Sequence, residues 1–309
     1  MSGVITTSSF AKSLWPGVNT WNGQAYAEYP VEWDKLFEKN TSRRAFEEDV
    51  GTSGLGLAVV KDQAGAITYD SMRQGFTSRY QHVTYGLGFI VTREAFDDDM
   101  YDVVAKKKSQ SLAFSMRQTK EIIGANVYNR AFNTSYLGGD GTTLEACAAG
   151  GSASAPNVFG GTYTNGPSAA VDLSEAALEQ ACIDIAGFTT DRGLKIAVRP
   201  RKLIIPKELM FEADRILKTE GRTGTDLNDL NALKARGLIP EVVVNHYLTD
   251  TDAWFILTDV RDGLKYFERR DDEFTMDEDF DTENAKYKAT ARYSFGWTDR
   301  RGIYASPGV

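Results

Sequence analysis

The fold of this chain is decided near its end, by the stretch Tyr287-Lys288-Ala289-Thr290-Ala291-Arg292-Tyr293-Ser294-Phe295-Gly296-Trp297. Its aromatic residues share one parity, so they lie on one face of a β-strand, in which successive side chains alternate. Shorter runs rich in aromatic or aliphatic residues precede it at 253–259, 264–270 and 280–284, each bounded by Asp, Gly or Asn. This end of the chain therefore predicts an antiparallel β-meander, and it contains no nucleophile, metal cluster or phosphate loop.

The composition excludes several classes of protein. With 309 residues, 42% of them hydrophobic and 25% charged, the chain has the make-up of an ordinary soluble globular protein of one large domain or two lobes. No apolar run is long enough to span a bilayer, and residues 1–20 lack the apolar core of a signal peptide. Two cysteines do not make a disulfide framework, which favours synthesis in a cytoplasm. The net charge of −8 argues against broad binding of nucleic acid.

The strongest β-pattern lies in residues 51–92. Runs at 54–61 and 67–70 flank a turn at 62–65 and predict the strands of a long ribbon, and residues 83–91 alternate strictly between apolar and other positions. Residues 71–81 are polar, which predicts a ribbon tip with little to pack against. Such a ribbon is poorly stable alone and needs a partner surface.

A long helix is predicted over 93–132. Thr92 is a plausible N-cap, and Asp97, Asp98 and Asp99 crowd the first turns. Adjacent residues on a helix point in different directions, so the helix dipole explains these carboxylates better than a metal site does. An apolar stripe follows at Ala105, Leu112, Met116, Thr119, Ile123, Val127 and Ala131. At about 1.5 Å per residue such a helix would be about 60 Å long, which predicts a spine.

Residues 133–248 predict a compact α/β lobe inserted between the spine helix and the meander. Residues 133–171 are rich in Gly, Ala, Ser, Thr and Asn and predict a long surface loop that would tolerate insertions near Gly150. Asp172 and Glu175 have the spacing of a capping box. Further buried strands are predicted at 194–198, 203–205 and 241–245, and helices at 207–217 and just before Gly237. Upstream, a short helix is predicted at 33–46.

The order of these elements resembles the Hong Kong 97-type fold of tailed-phage major capsid proteins. The resemblance rests on the residues at 88–94, 125–132, 138–141 and 248–255 and on the end of the meander, Arg292 to Trp297 followed by 301–304. It covers most of the chain and is weakest over 1–50 and 142–172.

The resemblance implies an α+β fold in four parts. These are an N-terminal arm at 1–50, an extended loop or β-ribbon at 51–92, a peripheral domain made of 93–132 and 249–309 with the spine helix and the antiparallel β-meander, and an inserted α/β axial domain at 133–248. It also implies a structural subunit of a virion that assembles into hexamers and pentamers of an icosahedral shell around double-stranded DNA.

Partners follow from the same resemblance. We expect the chain to contact itself, a portal and a decoration protein. We also expect a separate scaffolding protein, because the chain has no room for a scaffolding segment ahead of the arm. Its acidic charge predicts weak, non-specific contact with packaged DNA. No membrane partner is expected.

No residue pattern predicts catalysis, a cofactor or a metal. His82 and His246 are far apart and lack ligand-spaced neighbours. The glycine-rich run at 138–141 lacks the Lys-Ser/Thr of a phosphate-binding loop and reads as a loop tip. Cys182 lies on an apolar helical stripe, and no residue near Cys147 would activate its thiol. Lys61 lies away from the predicted tip, so we expect no isopeptide cross-link. The basic run at 106–108 either contacts nucleic acid or forms a solvated face paired with nearby acids.

The ribbon is the element we expect to carry contacts between subunits. Gly86 and Gly88 would permit close approach of another backbone. Arg73 and Arg79 would meet acidic residues of a neighbour, within 97–99. Two alternatives stay open: an encapsulin-type nanocompartment, which encloses a cargo enzyme in the same fold, and an unrecognised enzyme with its site in 133–248.

Overall fold

The computed structural model describes Thr20 and residues 22–24, 30–92, 94, 101–221, 230–278 and 284–309. Half of the predicted arm, most of residues 93–100 at the start of the predicted spine helix and most of the run at 280–284 lie outside the described residues. The described strands are β1 (Glu38–Thr41), β2 (Phe46–Thr52), β3 (Gln74–Gln81), β4 (Val83–Val91), β5 (Ala146–Cys147), β6 (Gly150–Gly151), β7 (Ala155–Pro156), β8 (Thr162–Tyr163), β9 (Pro200–Ile205), β10 (Glu241–Val244), β11 (Trp254–Thr258), β12 (Leu264–Glu278), β13 (Ala285–Trp297) and β14 (Ile303–Ser306). The described helices are α1 (Tyr101–Asn129), α2 (Glu175–Ala186), α3 (Met210–Lys218) and α4 (Ala232–Arg236), with 3-10 turns at Trp33–Lys35, Lys207–Leu209 and Arg300–Gly302.

The first sheet contains the predicted terminal hairpin. Its strand order is β1-β12-β13-β4, and β12 and β13 pair antiparallel from Leu264 opposite Trp297 to Glu278 opposite Ala285. The predicted aromatic face is confirmed, because Tyr293 is buried in the core and Phe295 packs against it. The strand β4 is also confirmed, and it pairs with β13.

The spine helix α1 packs across the buried face of this sheet. Its apolar stripe is confirmed: Leu112 and Met116 are buried in the core, and Ile123 and Val127 pack against it. Over its 29 described residues the helix is about 43 Å long. It ends at Asn129, three residues before the predicted end.

The second sheet separates two hydrophobic cores. Its order is β10-β9-β11-β14, with β9 parallel to β10 and β11 antiparallel to both of its neighbours. On one face Phe255 joins the core formed with α1, and on the other Trp254 and Ile256 join the core of the lobe. The prediction of one continuous terminal meander is therefore wrong for β11, which pairs with β9 of the inserted segment on one side and with β14 on the other.

The ribbon is formed by β2 and β3, which pair antiparallel from Phe46 opposite Gln81 to Thr52 opposite Gln74. The predicted strands at 54–61 and 67–70 are wrong, because residues 53–73 form an irregular loop with a turn at 62–65. The predicted polar tip at 71–81 is mostly β3. The apolar side chains of 54–61 and 67–70 are exposed and do not cover one another, so burial gives these two runs no reason to form a ladder.

The segment after α1 is packed rather than free. Residues 142–147 are all buried, and the side chain of Asn165 accepts a hydrogen bond from Ala146 N at 2.7 Å and donates one to Leu144 O at 3.0 Å. Gly151 has φ +42°, and a Cβ there would lie 2.3 Å from Thr143 Oγ1. The prediction of a surface loop is therefore wrong for 142–147, and the packing of Gly151 on Thr143 argues against tolerance of insertions near Gly150.

The rest of the lobe follows the predicted helices closely. α2 is capped by Ser174, whose hydroxyl accepts from Ala177 N at 3.2 Å, so the cap is not the predicted Asp172. α4 ends at Gly237 in the left-handed conformation, as predicted. The predicted strand at 194–198 is wrong: only an isolated bridge joins Thr189 to Lys195. The predicted helix at 33–46 is also wrong, since that segment contains a 3-10 turn, the strand β1 and the first residue of β2.

Candidate assembly surface

The loop at the end of the ribbon, residues 53–73, is the most exposed described part of the chain; we name it the ribbon loop. All residues from 57 to 74 are exposed. The loop closes at its base, where Ser53 N donates to Arg73 O at 2.9 Å and Arg73 N donates to Ser53 Oγ at 2.8 Å. Beyond this pair the loop contains no strand or helix, only the turn at 62–65, so its own backbone hydrogen bonds do little to fix its shape.

The ribbon loop exposes an unusual amount of apolar surface. Seven of its large hydrophobic side chains are at least 56% exposed, namely Leu55, Leu57, Val59, Val60, Ile67, Tyr69 and Met72. Scattered surface hydrophobics are normal, but a contiguous set on one segment marks an interaction site. The loop therefore has the character of a contact segment.

The root of the ribbon is tied to the end of β13 by a chain of hydrogen bonds. The hydroxyl of Tyr80 lies 2.6 Å from Thr298 Oγ1, Thr298 donates to Asp49 Oδ2 at 3.0 Å, and Lys265 Nζ donates to the same Asp49 oxygen at 2.6 Å. Because Thr298 gives its proton to Asp49, Tyr80 is the donor to Thr298. Burial raises the pKa of Tyr80, so its hydroxyl keeps that proton.

His82 occupies the junction between β3 and β4. It is buried, with Nδ1 at 3.0 Å from Ser294 Oγ and Nε2 at 3.0 Å from Ser42 Oγ. Ser42 donates to Glu47 at 2.7 Å, so Nε2–H donates to Ser42 and Nδ1 accepts from Ser294. Burial is the first cause that lowers the pKa of His82, followed by the charge of Arg292, while Glu47 opposes them. The imidazole is a neutral structural link between four strands.

The glycine-rich turn at 138–141 supports the ribbon from the other side. A Cβ on Gly139 would lie 2.2 Å from Thr77 O, so the turn backbone touches β3 directly. The guanidinium of Arg300 holds the turn through Asp140 Oδ2 at 2.5 Å. The run is a turn, as predicted, but it is an internal support of the ribbon rather than a free tip.

The arm is fastened to α1 by a buried carboxylate. Glu121 is 2% exposed and accepts from Glu32 N at 3.0 Å and from Trp33 N at 2.9 Å. Burial raises the pKa of Glu121, and these two hydrogen bonds lower it. The neighbouring Lys120 Nζ lies 5.1 Å from the Trp33 ring centroid, a cation–π distance.

The predicted contact residues have neighbours within the chain. Arg79 lies 4.0 Å above the Phe46 ring and Arg73 lies 4.7 Å above the Phe159 ring. A Cβ on Gly88 would lie 2.6 Å from Tyr287 O, and one on Gly86 would lie 3.1 Å from Thr290 Cγ2. The close backbone approach expected at Gly88 is thus made to β13 of the same chain.

Asp97, Asp98 and Asp99 lie outside the described residues. Sequence reasoning missed Asp70, Phe159 and Arg192, which join the ribbon loop to the lobe. The sequence carries no direct signal for these three residues. It does carry one for the loop they hold, because the apolar run at 54–61 indicates an exposed contact segment as readily as a strand.

Two buried groups in the lobe have strongly shifted pKa values. Burial raises the pKa of Glu145 to about 7, and burial together with the Glu145 carboxyl raises the pKa of the Cys147 thiol to about 12. The thiol donates to Glu145 Oε1. A thiol with a raised pKa is a poor nucleophile, so the pair is structural.

Two further findings concern ligands. No group of three or more His, Cys, Asp or Glu able to hold a metal ion occurs in the part of the chain that the structure describes. A groove of about 1210 Å³ beside α2 has Asp172 and Asp184 in its wall. Both acids are engaged, by Val309 N at 2.9 Å and by the Tyr304 hydroxyl at 2.9 Å respectively.

The two sheets, the spine helix and the projecting ribbon together define the α+β Hong Kong 97-like fold of phage shell proteins. A family model described as phage capsid protein matches residues 75–306, about three quarters of the chain. The chain therefore belongs to the phage capsid protein family and is a capsid shell protein of the virion. Among the described helices, none combines the length and apolar character needed to cross a bilayer.

Solved structures similar to this chain agree on the fold. The virus-like particle from Pyrococcus furiosus has a TM-score of 0.53 at 10% identity, covering 94% of this chain and 98% of that chain. The procapsid of bacteriophage JBD30 has a TM-score of 0.51 at 13% identity, covering 98% and 76%. Mycobacterium phage Che8 has a TM-score of 0.51 at 11% identity, covering 90% and 92%. A comparison with curated protein sequences finds no match at the threshold used.

Proposed function

We propose that this chain is a major capsid protein that assembles into hexamers and pentamers of an icosahedral shell around double-stranded DNA. Its role is structural, without catalysis. The proposal includes the division into an arm (1–50), a ribbon (51–92), a peripheral domain (93–132 and 249–309) and an axial domain (133–248). Synthesis takes place in the host cytoplasm.

The observation that carries the proposal is the exposed apolar surface of the ribbon loop. Burying a large apolar side chain is worth about 1.5–3 kcal/mol, so covering seven of them could supply about 10–20 kcal/mol before the entropy cost of association. A second copy of the chain is the partner that a shell always provides. Because the loop projects from the folded body, it can contact a second copy while each copy keeps its own hydrophobic core.

Polar contacts would set the register between copies. Arg73 and Arg79 are candidates to meet acidic residues next door, with Asp97, Asp98 and Asp99 as the candidate partners, and Gly86 and Gly88 are candidate positions for close approach. The charged contacts contribute more to specificity than to affinity. Gly86 and Gly88 could take part only from the face of β4 that β13 leaves free, since both already lie against β13 of their own chain.

The charge of the chain supports weak contact with packaged DNA. A net charge of −8 repels a polyanion, and salt screens that repulsion over about 8 Å at physiological ionic strength. Packaged DNA would therefore not bind tightly to the inner surface of the shell. A scaffolding protein, a portal and a decoration protein complete the proposed set of partners.

A nanocompartment shell around a cargo enzyme is the second candidate. The similarity to a virus-like particle, with nearly complete coverage of both chains, favours keeping it. The contents of purified particles distinguish the two, since a capsid formed during infection holds nuclease-protected DNA and a nanocompartment holds protein.

The proposed shell role of the ribbon loop is tested by removing residues 54–72. Ser53 and Arg73 already form a hydrogen-bonded pair, so an Asn-Gly turn can join them without disturbing β2 and β3. We expect the variant to remain folded by circular dichroism and to form no particles in negative-stain images, with scaffold supplied.

A second variant keeps the loop and changes only its surface. Replacing Leu57, Val60, Ile67 and Tyr69 by serine should likewise prevent particles, whereas replacing exposed residues of the lobe such as Ile183 should not. Normal particles from both ribbon-loop variants would refute the assignment of this loop as the contact between copies.

A further inference from the structure

The ribbon loop has a specific attachment to the lobe of its own chain. Arg192 Nη2 donates to Asp70 Oδ1 at 2.9 Å and to Ser71 O at 2.7 Å. The other oxygen of Asp70 accepts from Gly56 N at 2.8 Å. One carboxylate therefore joins both arms of the loop and binds them to the lobe.

An aromatic ring strengthens this attachment. The Phe159 ring contacts two guanidinium groups, that of Arg192 at 4.0 Å and that of Arg73 at 4.7 Å from its centroid. Planar guanidinium groups pack well on aromatic faces. Arg73 belongs to the ribbon loop and Arg192 to the lobe, so the ring is a shared contact between the two parts.

The lobe side of this attachment is built in advance. The turn that carries Arg192 is closed by Thr190 N to Leu194 O at 2.7 Å and by Gly193 N to Thr190 O at 2.9 Å. Asn157 Nδ2 donates to Asp191 O at 3.1 Å, which joins the turn of Phe159 to that of Arg192. The two side chains are therefore held on one platform.

The region between this platform and the ribbon root is not filled. A cleft of about 320 Å³ separates the ribbon at 50–52 and 75–76 from the lobe at Pro156, Val158 and Tyr163. Every residue from 57 to 74 is exposed. The ribbon is therefore held firmly at its root, at Tyr80 and His82. The loop is held to the lobe only by the small attachment near its base, and the residues beyond that attachment are exposed.

We propose that Asp70, Arg73, Phe159 and Arg192 form a latch that fixes the orientation of the ribbon loop on its own lobe, and that opening this latch lets the loop swing while the ribbon and lobe stay folded. The ion pair is exposed enough for salt to compete with it: the Asp70 and Arg192 side chains are 40% and 22% exposed. The latch belongs to the single folded chain and does not depend on the proposed shell.

The test measures the distance between the loop and the lobe in the full-length, unassembled chain. Nitroxide labels are placed at Gln63→Cys on the ribbon loop and Lys207→Cys on the lobe, and pulsed electron paramagnetic resonance gives the distance distribution. The native Cys147 and Cys182 are buried, and the label-free parent reports any reaction at them. We expect one narrow distribution at low salt.

Opening the latch should widen this distribution at least twofold. Arg192→Ala removes both the ion pair and the stacking, Asp70→Asn removes the charge, and Phe159→Leu removes the ring. Raising salt to 1 M, where the screening length falls to about 3 Å, should widen the wild-type distribution in the same direction. Arg215→Ala is the control, because its 3.0 Å pair with Glu212 is also an exposed Arg–carboxylate pair and stays within α3.

A distribution for Arg192→Ala that overlaps that of Arg215→Ala would overturn the proposal. Circular dichroism of each variant shows whether the lobe is folded. If Arg192→Ala unfolds, Phe159→Leu and Asp70→Asn decide: widening in both supports the latch, and no widening in either refutes it. Faster tryptic cleavage after Lys61 in the same variants is the second readout.

Discussion

Replacing Gly139 by alanine tests whether the turn after α1 supports the ribbon. The turn is closed by Gly138 N to Thr142 O at 2.7 Å and Gly141 N to Gly138 O at 3.0 Å. A Cβ on Gly139 would lie 2.2 Å from Thr77 O and 2.9 Å from Ser78 Cα. Non-bonded carbon atoms prefer about 3.5–4.0 Å, so the turn and β3 must separate by about 1 Å.

The cost of this separation follows from the atoms involved. Overpacking a tight site costs about 1–3 kcal/mol, and here both clashing groups are backbone, which no rotamer change relieves. We therefore expect a loss of about 3 kcal/mol in the free energy of unfolding. Ser78 is buried at this contact, so the root of the ribbon should loosen as well.

Gly141→Ala provides the matched control in the same turn. That position has φ +74° and nothing within 4 Å of an added Cβ, so only the left-handed backbone is penalised, by about 1–2 kcal/mol. Urea unfolding of the unassembled chain, followed by tryptophan fluorescence, compares the two variants. Trp297 reports on the turn because its Nε1 would lie 2.8 Å from a Cβ on Gly138.

Particle formation completes this experiment. We expect Gly139→Ala to assemble more slowly than Gly141→Ala, because its ribbon is less firmly oriented. If Gly139→Ala is no less stable than Gly141→Ala, or assembles at the wild-type rate, the turn does not support the ribbon and the reasoning fails.

Three further predictions concern buried polar groups. The pKa of His82 is lowered in the folded chain, so below about pH 6.5 the unfolded chain binds more protons and the free energy of unfolding decreases as the pH is lowered. Replacing His82 by glutamine should flatten this dependence in urea unfolding from pH 7.5 to 5.0. The variant His246→Gln, at an exposed histidine, is the control. Folding raises the pKa of Glu145 from 4.5 to about 7, so its contribution to stability is present below pH 4.5 and is lost as the pH rises through 7. At pH 8, Glu145→Gln should therefore have a free energy of unfolding up to about 3 kcal/mol above that of the wild type. Equal free energies of unfolding at pH 8 would contradict this. Glu121→Ala leaves two backbone N–H groups without an acceptor at about 1–3 kcal/mol each, while Glu121→Gln keeps one acceptor oxygen and should lose about half as much in the same unfolding assay.

The sequence by itself determined the elements whose pattern is local. The stripe through Leu112 and Met116 predicts α1 because residues three and four apart share a helix face. The alternation in β4 and the single parity of the aromatic residues in β13 predict strands with one buried face. These elements, in their order along the chain, were enough to recognise the fold.

Only the tertiary structure decided which partner each strand takes. The apolar run within 253–259 predicts a strand, but it does not say that β9, more than fifty residues earlier, lies beside it. Burial is a property of a residue's own side chain, whereas pairing depends on a distant segment of the chain. The same reason explains the buried 142–147 segment: backbone groups of Ala146 and Leu144 bond the side chain of Asn165, which also donates to Ile303 O of the last strand. It also explains the ribbon loop, whose apolar residues alternate as a strand would: no segment among the residues that the structure describes covers them, and a local pattern does not say whether a distant segment will.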